Sequence, residues 1–204
     1  MGSIPDRIVD PSRWRELPGR LVVLSGASGS GKSTIVSALL ARQDIRARVS
    51  ISATTRDPRP GESPDSSYYF MTRERFEADR AAGAFLETAE VHGHLYGTPA
   101  APIQDSLADG VCVILVIDVQ GAMTVRSRVP DSLLIFVHAP SPETLEARLR
   151  GRGTDDEPTI RRRLDNAPGE LALSDRYDYQ IINDDLDRAV SDLAQILIRN
   201  HCGG

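Results

Sequence analysis

The chain has 204 residues, 40% hydrophobic and 26% charged, a soluble composition long enough to bury one sizeable core. Twenty-four basic against 29 acidic residues leave a formal charge of −5, which gives no whole-surface attraction to nucleic acid or to a membrane. No apolar run nears the ~18 residues that span a bilayer, MGSIPDRIVD is no secretory signal, and Cys112 and Cys202 make no disulfide framework, so a reducing, cytoplasmic setting is expected.

Residues 1–19 are polar, contain proline and Trp14, and read as a flexible, loosely attached leader. Arg20–Ser25 is a buried-strand pattern, followed by GASGSGKST and a helix over Ser33–Arg42. Val49–Ser52 predicts a strand, and the Pro- and Gly-rich TTRDPRPGESPDSS a loop. Tyr68–Met71 predicts another strand. Thr72 is placed to cap a helix that Gly83 stops, and Phe85–His92 is a strand turning at Gly93. Thr98–Pro99 reads as an N-cap with proline at the first helical position, and Gly110 closes that helix. VCVILVI, Val111–Ile117, is apolar on both faces, as a central parallel strand is. A short helix follows Gln120, then a strand over Leu133–His138, a helix from Ser141–Pro142 to Gly151, and an arginine-rich connector and helix over 152–173 that Pro168 should kink or end. Tyr179–Asn183 is the last strand and Leu186–Arg199 an amphipathic helix. Strand alternating with helix implies an α/β fold, a parallel sheet covered on both faces, with 53–98 as an inserted subdomain.

Of the 24 basic residues, 23 are arginine and one is lysine, Lys32. It stands in Gly26-Ala27-Ser28-Gly29-Ser30-Gly31-Lys32-Ser33, a G-x-x-x-x-G-K-[ST] match between a strand and a helix. Backbone N–H groups of such a loop curl around phosphate oxygens and the helix N-terminus adds its dipole. Lys32 would reach the β- and γ-phosphates of ATP and Ser33 would ligate Mg²⁺. A Gly/Ser-rich turn capping a helix would explain the glycines but not the position of the only lysine.

Downstream, Arg56 and Arg59 lie on the polar loop, with the phenols Tyr68 and Tyr96. Two guanidinium forks with two phenols suit a phosphate monoester. Glu87 follows Phe85–Leu86 in an apolar strand, where a carboxylate is costly unless paired. A carboxylate can accept two parallel hydrogen bonds, from N1–H and the 2-amino group of guanine, and adenine offers neither; Ser52 could donate to a purine O6. Asp118 ends the central strand, the usual place for an acid near the metal.

From Leu21 to about Arg199 the chain resembles guanylate kinases, through GASGSGKST, SISATTRDPRPGE, Tyr68, FLETAEVHGHLYGT, ILVIDVQGA, RLRGRGTDDE and INDDLDRA. The resemblance implies a P-loop NTPase three-layer fold over 20–204, with core 20–52, 99–147 and 174–199, GMP-binding domain 53–98 and lid 148–173. Carried over, Ser52, Glu87 and Thr98 read guanine; Arg56, Arg59, Tyr68 and Tyr96 hold the GMP phosphate; Asp118 serves GMP and, through water, the metal. The loop residues Gly26 to Thr34 hold ATP, with Asn183 near adenine. Arg148, Arg152 and Arg163, from six arginines within 148–163, join Lys32 and Arg56 in catalysis, whereas Arg150 falls where relatives need no base. The implied reaction is ATP-dependent phosphorylation of GMP and dGMP with Mg²⁺.

Val116 stands where guanylate kinases often have a second acid, Thr88 where an aromatic is usual, and His94–Leu95 in place of Asn-Tyr. These departures favour a competing reading, a related kinase with another phosphorylated acceptor such as a modified purine nucleotide or a ribose phosphate; a non-catalytic binding module is a further alternative. The intact phosphate loop opposes the binding module.

Overall fold

Alternating apolar residues of one central strand set the layers of this molecule. In the computed structural model, which describes residues 4, 7–42, 44–58, 61–63, 67–91, 93–151, 153, 156–200 and 202, β1 spans Leu21–Ser25 and is buried throughout. Val22 and Leu24 join a core cluster on one face of the sheet, and Leu21 and Val23 join the cluster on the other, as a period of two requires. The parallel sheet runs β2–β7–β1–β8–β9, from β2 (Ala47–Val49), β7 (Cys112–Val116), β8 (Leu133–His138) and β9 (Tyr179–Ile182). α1 (Lys32–Leu40) and α7 (Leu186–Arg199) cover the first face, and α3 (Ala100–Ala108) with α4 (Val119–Arg128) the second.

A four-stranded mixed sheet, β4–β3–β6–β5, forms the inserted unit. It contains β3 (Ala53–Thr54), β4 (Tyr69–Phe70), β5 (Phe85–Val91) and β6 (His94–Pro99), with α2 (Arg73–Ala81) packing Phe76 against Phe85 at a ring separation of 4.6 Å. The stretch expected as the lid, 148–173, takes in the end of α5 (Pro142–Gly151) and α6 (Glu157–Leu171), which pack together through Leu145, Leu149 and Ile160.

Several expectations are corrected. Within the expected leader, residues 11–16 form a 3-10 helix whose Trp14 is 3% exposed against α3, its indole N–H donating to Gln104 Oε1 at 3.3 Å. A large aromatic finds an apolar face there, so this part of the segment is docked. The strand expected at Val49–Ser52 is two strands in two sheets: β2 ends at Val49 and β3 begins at Ala53, because here the chain leaves the core for the inserted unit. Thr98 does not cap α3. It lies in β6, the cap position belongs to Pro99, and the Thr98 hydroxyl is committed to a carboxylate across the hairpin. α6 passes through Pro168 to Leu171; one i→i−4 bond is lost near the helix end, where a single loss is tolerated.

Candidate active site

β1 and β7 end at the same edge of the sheet, and the residues that follow them line a cleft of about 800 Å³ between the core, the inserted unit and the lid. Carboxyl ends of parallel strands are where open α/β sheets bind ligands. After β1 the loop turns back on itself through Gly26, whose φ is 138° and where an added Cβ would lie 2.2 Å from the Val137 carbonyl oxygen. Gly31, at φ 96°, is the left-handed N-cap of α1, and a Cβ there would strike Asn183 Nδ2 at 2.1 Å. Lys32 folds across the loop, its ammonium donating to the Gly26 and Ala27 carbonyls at 2.6 and 2.9 Å. Ser33 lines the cleft in the first helical turn, and Thr34 is exposed beside it.

The back of this loop is held by residues distant in sequence. Asn183, 5% exposed, donates from Nδ2 to the Ser30 carbonyl at 2.7 Å. Arg148 donates to that carbonyl at 3.3 Å and to the Asn183 carbonyl at 2.9 Å. Neither side chain lines the cleft. Asn183, expected near adenine, braces the phosphate loop through this bond. From the lid, Arg163 lines the cleft and donates to Ser28 Oγ at 2.7 Å. Arg152 and Arg59 lie outside the described residues.

Across the cleft, Glu87 is 5% exposed on β5 and accepts a 2.5 Å hydrogen bond on Oε1 from the Thr98 hydroxyl. β5 and β6 bring the two residues opposite one another. Its Oε2 faces α4, where a Cβ on Gly121 would come within 3.0 Å. Burial pushes the Glu87 carboxyl up to about 7, and Asp118 adds to the rise against the opposing pull of Thr98 and Arg128. N–H donors brought to this carboxyl would favour its ionised form. Thr98 itself is fully buried behind Glu87; it positions the carboxylate and does not line the cleft. Ser52, Tyr68 and Tyr96 do line it.

Asp118 lines the cleft and caps α4, accepting from Gly121 N–H at 2.8 Å. Arg56 is turned onto its own unit, its Nη2 donating to both Glu62 oxygens at 2.9 Å and its guanidinium 5.5 Å from the centre of the Tyr68 ring. Tyr96 also approaches it. Arg150 is directed outward to Glu146 and Glu157 in surface salt bridges.

Sequence reasoning missed one face of α6. Arg162, Asn166 and Glu170 line the cleft with Arg163; their spacing of four along a helix was the available signal. Glu170 is half-buried and receives the Ser28 N–H. Burial raises its carboxyl while Lys32, Arg163 and that N–H oppose the rise. Among the departures noted above, Leu95 is 2% exposed in the core of the inserted unit and does not face the cleft, whereas Val116 does.

A parallel sheet with a strand–glycine loop–helix at its carboxyl edge, a lid, and a second cleft wall carrying a buried acid defines a P-loop phosphotransferase. The guanylate kinase family model matches residues 18–200. A guanylate kinase of Rubrobacter xylanophilus is 47% identical over 186 residues, covering 91% of this chain and 97% of that protein, and one of Hahella chejuensis is 48% identical over 178 residues, 87% and 85% of the two chains. The crystal structure of guanylate kinase from Anaplasma phagocytophilum superposes with a TM-score of 0.73 at 33% identity, covering 90% of this chain and 86% of that one. The chain belongs to the guanylate kinase family.

Proposed function

We infer that this chain transfers the γ-phosphoryl group of ATP to GMP, giving ADP and GDP, and that dGMP is accepted in place of GMP. The observation that carries the acceptor assignment is a buried carboxylate, Glu87, on the opposite wall of the cleft from Lys32. Its two oxygens match the two adjacent N–H donors of guanine, with Thr98 fixing the carboxylate and Ser52 as donor to O6. Adenine lacks those donors, and a site built to hydrogen-bond a group rejects analogues without it by ~10⁴-fold.

The acceptor phosphate is already anionic, so no general base is required. The work is to bring two polyanions into line and offset their repulsion. The loop amides and Lys32 hold the β- and γ-phosphates. Arg163 reaches the same loop from the lid and stabilises charge spread over the transferring group, and Arg152 is assigned the same role. Arg148, with Asn183, keeps the loop in shape. Arg56, Arg59, Tyr68 and Tyr96 take the GMP phosphate; the Arg56–Glu62 pair must open or re-aim for that contact. A hydroxyl at Ser33 and a carboxylate at Asp118 in one cleft are hard oxygen donors that suit Mg²⁺, which keeps several waters and shares phosphate oxygens. When bound there, Mg²⁺ would supply charge neutralisation at the phosphates.

Among the described residues no helix is long and apolar enough to cross a membrane, and we assign the reaction to the cytoplasm. The altered-acceptor and binding-module readings are not favoured. A coupled assay with ATP, Mg²⁺ and GMP, dGMP, IMP, AMP, CMP or UMP tests the assignment. Strong turnover of GMP and dGMP, weak turnover of IMP and negligible turnover of AMP are expected; equal rates on GMP and IMP would remove Glu87 as the reader of the 2-amino group.

A further inference from the structure

The two cysteines, remote in sequence, meet in the folded molecule. Cys112 opens β7, and Cys202 follows α7, where its N–H donates to the Leu197 carbonyl at 2.9 Å and turns the chain back toward the sheet. Both are free thiols, 2% and 5% exposed, in the core cluster beneath α1 and α7. The two side chains interact with one another within that cluster, and the charge of Arg20 acts on both. The Arg20 Nε is buried and has no hydrogen-bond partner among the described residues. Contact with Cys112 holds the Cys202 thiol below its ordinary value, while the same contact and burial push Cys112 up. Cys202 is thus the better nucleophile, with a second thiol waiting against it, the arrangement in which oxidation stops at a disulfide.

We propose that Cys112 and Cys202 are an oxidisable dithiol, which peroxides convert to an intramolecular disulfide fastening the segment after α7 to the central sheet. The Cys202 thiolate attacks one oxygen of hydrogen peroxide, the O–O bond breaks, and hydroxide leaves and is protonated to water. The resulting sulfenic acid is attacked by the Cys112 sulfur, the S–O bond breaks, and the departing hydroxyl takes the Cys112 proton as a second water. Two thiols lose two electrons, and one peroxide is reduced to two waters. Entry of peroxide needs only local opening of the segment that carries Cys202.

The pair sits at the opposite end of β7 from Asp118, five residues of strand or ~17 Å away, so the crosslink leaves the cleft untouched. It does tie down α7, which lies on α1, the helix that the phosphate loop feeds. A bridge between distant positions restricts the unfolded chain over a long loop. Oxidation would make the molecule harder to unfold without stopping turnover.

The test uses the full chain, fully reduced, then exposed to hydrogen peroxide and digested without reductant. A peptide pair joined through Cys112 and Cys202, loss of two hydrogens from the intact mass and a Tm rise of about 5–10 °C that dithiothreitol reverses are expected. Cys202→Ser should keep wild-type turnover and melt alike with and without peroxide. Thiols that remain titratable in the unfolded protein after treatment, sulfinic or sulfonic products, or disulfide-linked dimers would each overturn the proposal. Peptide mapping of the wild-type chain decides it even if the variant fails to fold.

Discussion

At the phosphate loop, Gly26 to Ser33 are contiguous and their chemistry is largely that of backbone amides; at the wall proposed to read guanine, Glu87, Thr98, Ser52 and Asp118 come from four separate segments. The loop needs positive φ at Gly26 and Gly31 and braces from Asn183 and Arg148. The wall needs the register between β5 and β6, which sets Thr98 opposite Glu87. Phosphate recognition, common to many proteins, is encoded locally, whereas base recognition depends on long-range pairing that brings a single carboxylate into an apolar setting.

Changes on the two sides should therefore fail differently. The largest effect is expected from Lys32→Ala, which removes the point charge facing the transferring group: kcat should drop by ~10³-fold or more, with GMP binding by calorimetry nearly unchanged. Turnover within tenfold of wild type would break the distinction. Glu87→Gln replaces one acceptor with a donor aimed at guanine donors, so kcat/KM for GMP should fall by ~10²–10³-fold with the ATP KM retained. Equal losses for both nucleotides would show that the wall is not separate from the loop.

A pH profile sharpens the contrast. Guanine donors require the ionised carboxylate, so kcat/KM for GMP should climb with pH through a limb near 7, where burial holds Glu87. The phosphate of GMP also titrates near ~6; subtracting the profile of Glu87→Gln isolates the carboxylate. Thr98→Val removes a hydrogen bond that favours ionisation, so the limb should move to higher pH with a loss of roughly tenfold at neutrality. An unmoved limb would assign it to another group. On the loop side, Asn183→Ala leaves the Ser30 carbonyl without its amide and should cost ~1–3 kcal/mol in urea unfolding, raising the ATP KM and leaving that for GMP.

The smallest effect is on the stability of the nucleotide-free protein. The folded state keeps the Glu87 proton up to about 7, and the unfolded chain releases it near 4.5. Between those values the folded state binds more protons, so stability falls as pH rises through the window, by no more than ~3 kcal/mol. Urea midpoints at pH 5 and 7.5 should diverge less in Glu87→Gln than in wild type.

The layout of strands and helices around the core was legible because β1, β7 and β8 are apolar runs bounded by glycine, aspartate and serine. α2 began at its Thr72 cap, whose hydroxyl accepts from Arg75 N–H at 3.2 Å. What was not legible came from partners distant in sequence. Thr98 looked like a cap because Pro follows it, yet Glu87 competes for its hydroxyl. Asn183, expected near adenine, also donates to the Ser30 carbonyl 153 residues away. The segment with Trp14 reads as a loose leader because α3, which covers the ring, lies far along the chain. Arg56 and Lys32 were found as residues, but their engagement with Glu62 and with the loop carbonyls depends on geometry.

Lys32 is the only lysine in the chain, and it is folded against the Gly26 and Ala27 carbonyls. The molecule therefore carries a single ε-ammonium group, at its phosphate-binding centre. Lysine labelled with ¹⁵N or ¹³C would give one side-chain resonance, a spectroscopic report on phosphate binding that needs no assignment. Lysine acylation of this protein has no silent positions: an acyl group on any lysine is an acyl group on Lys32, and the fraction modified would equal the fraction of molecules stripped of that charge.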